Sequence, residues 1–97
     1  MPSTPGVDIV IAEDSRIQAK ILERRLTEAG HRVRWGADGQ AALDLVREQA
    51  PAIIVSDIEM PTMTGYDFCK AVKQDSELRK IPFILLSTLS DPLDIIK

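Results

Sequence analysis

Ala52-Ile53-Ile54-Val55-Ser56-Asp57-Ile58-Glu59-Met60-Pro61-Thr62-Met63-Thr64-Gly65 is the stretch on which the fold turns. Its first part is a short apolar run rich in branched residues, bounded by Pro51 and closed by an acid, which reads as a buried strand. Its second part is too rich in breakers to continue that strand, so it is a loop leading into a helix from about Tyr66 to Asp75. A second apolar run, Val7-Asp8-Ile9-Val10-Ile11-Ala12, is also closed by acids, Glu13 and Asp14. If the two runs are neighbouring parallel strands, three carboxylates meet in one small site. Two unit charges ~5 Å apart at an effective dielectric of ~20 repel by roughly 3 kcal/mol, so the cluster is a poor choice for stability alone. A divalent cation relieves that repulsion, and a few hard oxygen ligands that leave room for waters and phosphate suit Mg²⁺.

Between and beyond these runs the pattern alternates strand with amphipathic helix, the signature of a parallel sheet with helical crossovers. Ser15 and Gln18 form a capping-box pattern, and Ile17, Ile21, Leu22, Leu26 and Ala29 make a helical stripe that stops at Gly30. His31 to Trp35 is a short strand with Val33 and Trp35 on one face and charge on the other, which suits the sheet edge. Asp38 caps a second helix carrying Ala41, Ala42, Leu45 and Val46. Ile81 to Leu86 is a nearly unbroken apolar run of the kind buried on both faces, with Ser87 and Thr88 at its end. Asp91 with Pro92 starts a fourth helix that breaks off at Lys97 after barely two turns.

The chain has 97 residues and a formal charge of -3, with a pI near 5.0, and reads as one domain. Its basic residues are scattered among acids, which argues against direct nucleic-acid binding by this segment. Residues 1–6 are expected to be a disordered tail; they lack the features of a signal peptide, and no apolar run is long enough to span a membrane. A cytoplasmic location is expected. The one cysteine, Cys69, cannot form an internal disulfide and reads as a buried core thiol.

Ligands of open α/β sheets bind beyond the carboxyl ends of the strands, where Glu13, Asp14, Asp57 and Ser87 all fall. Right-handed crossovers put the first strand beside the third, so at a strand spacing of about 4.8 Å the Asp14 and Asp57 carboxylates can share an ion while Ser87 approaches from the other side. Taken alone, Asp14 reads more naturally as part of the helix entry; the acids at the same sheet end reverse that balance. Ser87 is assigned the hydroxyl role, and a slip of one residue would give it to Thr88. Gly65 reads as a turn and helix-start residue, Pro61 as a loop stiffener, Met60 and Met63 as packing, and His31 as an exposed strand residue.

An acidic pair after strand one, an Asp closing strand three ahead of Met60-Pro61-x-Met63-x-Gly65, and a hydroxyl closing strand four together resemble the receiver domain of two-component response regulators. The likeness runs from about Val7 to the end, so residues 7–97 are expected to be a receiver domain truncated in its fourth helix. It implies a flavodoxin-like, doubly wound parallel sheet in strand order 2-1-3-4-5, of which four strands are present. It also implies a phosphoaccepting signalling module in which Asp57 takes a phosphoryl group from a histidine kinase or phosphotransfer protein. Glu13, Asp14, Asp57 and the backbone carbonyl of Glu59 would hold Mg²⁺. Ser87, or Thr88, would read the phosphoryl group, with an unidentified output domain downstream. No classical enzyme activity is implied beyond the domain's own phosphorylation and dephosphorylation.

The family's nearly invariant lysine, at the end of a fifth strand, has no counterpart here, because Lys97 stands in the wrong context. The break inside a started helix favours a fragment over a receiver that has lost part of its fold. Two expectations follow: weakened phosphorylation, and a homodimer or domain-swapped assembly through an exposed fourth strand. The main alternative is a phosphate-independent interaction module. A haloacid-dehalogenase-like phosphohydrolase ranks far lower, since that family carries its Asp-x-Asp motif near the start of the fold.

Overall fold

The structure, a computed structural model, describes residues 6–86. The element order is β1 (Asp8–Ala12), α1 (Arg16–Glu28), β2 (Arg32–Gly36), α2 (Gly39–Glu48), β3 (Ile53–Asp57), α3 (Gly65–Gln74) and β4 (Phe83–Leu86). The strands form one sheet in the order β2-β1-β3-β4, with every neighbouring pair parallel. This is an open, doubly wound α/β sheet, with the reversal of winding between β1 and β3. The remainder of the proposed N-terminal tail before Gly6, the Ser87 and Thr88 assignments and the fourth helix lie outside the described residues.

Helix boundaries follow local chemistry. Ser15 Oγ accepts from the Gln18 N–H at 3.3 Å, Asp38 Oδ1 from Ala41 at 2.7 Å and Thr64 Oγ1 from Asp67 at 3.1 Å, so each helix begins at a side-chain cap. Helix α1 ends at Gly30, whose φ of +97° is the left-handed conformation that glycine adopts at least cost. Arg34 reaches across from β2 to donate to the Leu45 and Gln49 carbonyls at 3.0 and 2.7 Å, which closes the C-terminal end of α2.

The two faces of the sheet differ. Against α2 and α3 lies the larger core, with Val10, Ile54, Val46, Phe68, Val72 and Phe83 almost wholly buried. Burying side chains of this size contributes roughly 1.5–3 kcal/mol each, and the Phe68 and Phe83 rings meet edge to face at 5.0 Å. Against α1 lie Ile9, Ile11 and Val55, packed by Leu22, Leu26, Val33, Trp35 and Ile84.

Several expectations change here. The helical stripe of α1 is only partly used: Leu22 and Leu26 face the sheet, but Ile17 and Ile21 are 73% and 54% exposed among the described residues. Strand β4 begins at Phe83 rather than Ile81, because Ile81 N–H donates to the Leu78 carbonyl in the preceding turn. That strand is buried on one face only: Phe83 and Leu85 enter the large core, whereas Ile84 is half-buried and Leu86 exposed on the α1 side. His31 precedes β2 and is half-buried, its Nδ1 accepting from the Val7 N–H at 3.2 Å. Cys69 is buried as expected, and burial pushes its thiol pKa up, which keeps it protonated and unreactive.

Candidate phosphoacceptor and metal site

The register sets the site. Ala12 pairs with Ser56 across β1 and β3, so the residues that follow, Glu13 and Asp57, emerge at the same sheet end. Each of Glu13, Asp14 and Asp57 offers a carboxylate oxygen, and these oxygens lie within 4.8 Å of one another. Asp57 is 5% exposed and ends β3 opposite Leu86. Its Oδ1 accepts from the Ile58 N–H at 2.9 Å, which fixes the carboxylate at the strand end. Glu13 is half-buried and Asp14 exposed, so the cluster opens to solvent on the α1 side.

The electrostatics of the cluster favour a cation. Burial, then the facing Asp57 charge and a hydrogen bond shared with it, push the Glu13 carboxyl up to about 7 from the ordinary 4.5. A proton is a poor neutraliser at pH 7, and a divalent cation is a good one. The donor set fits Mg²⁺ in kind: all donors are hard oxygens, they are few, and one side is open for water and phosphate.

The β3–α3 turn is held by backbone hydrogen bonds within it and by packing. Gly65 starts α3 with its N–H on the Ile58 carbonyl at 2.7 Å. A Cβ there would overlap the Asp57 carbonyl oxygen and press on Ile58 Cα at 2.9 Å, so Gly65 is a close-approach residue as well as a helix start. Thr62 sits at φ +72°, a left-handed conformation unfavourable for a β-branched residue. Met60 is buried and Met63 packs against the core, as expected for both. Glu59 is exposed on this turn, two residues past Asp57.

The β1–α1 turn is held by hydrogen bonds from β2. Glu13 N–H donates to the Gly36 carbonyl at 3.1 Å, and the Trp35 indole N–H donates to the Glu13 carbonyl at 2.8 Å. Sequence reasoning put Trp35 on the correct face of β2 and missed this contact, since alternation reports a face and not a hydrogen-bond partner. It also missed the close approach at Gly65; a glycine directly after a cap residue was the one available signal.

The family described as response regulator receiver domain matches residues 9–97, and the chain belongs to that family. It is 36% identical over 86 residues to a probable transcriptional regulator, ycf27, of Guillardia theta, covering 89% of this chain and 33% of that protein. Transcriptional regulatory protein AfsQ1 of Streptomyces coelicolor is 35% identical over 88 residues, covering 91% and 38%. The chain thus spans between a third and two-fifths of the length of these curated relatives. Among solved structures, the signal receiver domain of a histidine kinase from Syntrophus aciditrophicus superposes with a TM-score of 0.83 at 40% identity, covering 92% of this chain and 67% of that one. The receiver domain of sensor histidine kinase PA1611 from Pseudomonas aeruginosa, solved with a magnesium ion coordinated in its active-site cleft, gives 0.84 at 27% identity, covering 92% and 73%. The four-stranded sheet is accordingly the flavodoxin-like receiver fold. Among the described residues, no helix is long and apolar enough to cross a membrane.

Proposed function

We propose that residues 7–97 form a phosphoaccepting receiver module of two-component signalling, with Asp57 as acceptor. The observation that carries this reading is the nearly buried Asp57 carboxylate at the end of β3 with Glu13 and Asp14 gathered around it. An Asp57 carboxylate oxygen attacks the phosphorus of a partner's phosphohistidine; the new O–P bond forms as the P–N bond breaks, and the imidazole leaves with the bonding pair. Glu13, Asp14, Asp57 and the Glu59 carbonyl would hold Mg²⁺, which when bound neutralises charge on the phosphoryl oxygens. The Ile58 N–H keeps Asp57 oriented for attack. Ser87, with Thr88 as the neighbouring alternative, then donates to a phosphoryl oxygen and draws the loop after β4 into its signalling form.

Glu59 borders the path of water toward the acyl phosphate and sets its lifetime; an unchanged lifetime in Glu59→Asn would sink that assignment. The partners are a histidine kinase or phosphotransfer protein and an output domain, in the cytoplasm.

Intact mass after brief treatment with acetyl phosphate and Mg²⁺ tests the proposal. One added phosphoryl group is expected with metal and none without it. Full labelling of Asp57→Asn would overturn the assignment.

A further inference from the structure

Trp35 is the chain's one tryptophan, and it is the penultimate residue of β2, paired in register with Ile11. The β1–β2 ladder runs to Ala12 and Gly36, and one more backbone bond follows it, from Glu13 N–H to the Gly36 carbonyl. Beyond Gly36 the chain turns away, because Asp38 caps α2 with its side chain. The donor that meets the Glu13 carbonyl is therefore the Trp35 indole, at 2.8 Å. Consecutive residues of one strand thus hold both main-chain polar atoms of Glu13.

The Glu13 carbonyl belongs to the same rigid plane as the Asp14 N–H, so fixing its direction fixes the peptide that joins the two acids. Those acids repel Asp57 and each other, and the repulsion tends to swing the turn outward when no cation is bound. The indole can resist that swing because Trp35 packs against the core cluster formed by Ile9, Ile11 and Val55. From this geometry we infer that Trp35 is a positioning residue: through the Glu13 carbonyl it pre-organises the carboxylates of the β1–α1 turn for a divalent cation, and its emission reports that site's occupancy. This rests on the metal site proposed above.

The test titrates Mg²⁺ into the full chain by calorimetry while following tryptophan emission, and compares Trp35→Phe with Val33→Ala. Phenylalanine keeps an aromatic ring in the cluster and removes the N–H; Val33→Ala loosens the same cluster without touching Glu13. Trp35→Phe is expected to bind Mg²⁺ about three- to ten-fold more weakly, the range for loss of one hydrogen bond from a pre-organised site. Val33→Ala should lose stability yet bind Mg²⁺ like the parent, and the parent's emission should change in step with calorimetric saturation. Unchanged affinity in Trp35→Phe, an equal loss in both variants, or flat emission during binding would overturn the inference. A parent that binds no Mg²⁺ would refute the metal site itself, a separate and recognisable failure that takes this inference with it.

Discussion

The two turns that build the acidic site are held in different ways, one by the neighbouring strand and one by its own close packing. Glu13 and Asp14 sit on a short connection whose backbone is bonded to Gly36 and Trp35 of the next strand. Asp57 opens a longer turn that is held by its own backbone bond, Gly65 N–H to the Ile58 carbonyl, and by contact: Gly65 against the Asp57 backbone, Met60 in the core, and Thr62 forced into a left-handed conformation. In the first turn the Glu13 backbone is fixed, and only the exposed Asp14 can yield by small rotations. The packed turn cannot, because the movement would run into its own backbone. The acceptor is therefore on the rigid side of the site and the adjustable ligand, Asp14, is on the other.

Gly65→Ala strikes the rigid side hardest. The added methyl must displace the Asp57 carbonyl or the start of α3, and overpacking of this kind costs about 3 kcal/mol. Urea unfolding should show a loss of that order together with weakened Mg²⁺ binding. A loss below about 1 kcal/mol would mean that the packed turn is as compliant as the other.

The next effect belongs to the other turn. Glu13 has its folded pKa raised to about 7 from 4.5, so the folded protein retains a proton that the unfolded chain has released between those values. In chelator, the stability this contributes is complete below about pH 4.5 and is lost as pH rises through about 7. Melting temperature in chelator should therefore fall over that window. Saturating Mg²⁺, which binds the ionised form, should flatten or reverse the slope, and Glu13→Gln should remove the Glu13 part of it. A slope that is the same with and without Mg²⁺ would separate this carboxyl from the metal.

Thr62→Gly should give the smallest effect, and one of opposite sign. Relief of a left-handed β-branched residue is worth about 1–2 kcal/mol, partly offset by the greater freedom of glycine in the unfolded chain. A net gain of about 0.5–1 kcal/mol in urea unfolding is expected. A loss would show that the Thr62 side chain makes a contribution larger than its strain.

The contrast between the turns also explains what could be read in advance. Strands and helix starts were legible because each has a one-dimensional signature: the apolar runs before Asp14 and Asp57, and the caps Ser15 and Asp38. The three acids were legible because strand ends are where a parallel sheet gathers polar groups. Trp35 over Glu13 and Gly65 against Asp57 were not, since each depends on register and approach distance between elements. The exposure of Ile17, Ile21 and Leu86 was not legible either, because apolar spacing marks a face suited to burial without saying what covers it.

The most direct test of the central claim is where the phosphoryl group resides. The chain would be phosphorylated with acetyl phosphate and Mg²⁺, reduced with borohydride, which converts an acyl phosphate to an alcohol, and mapped by peptide mass spectrometry. Homoserine at position 57 alone is the predicted result. Reduction at another carboxylate with Asp57 intact, or a stable phosphate ester on a hydroxyl, would contradict it.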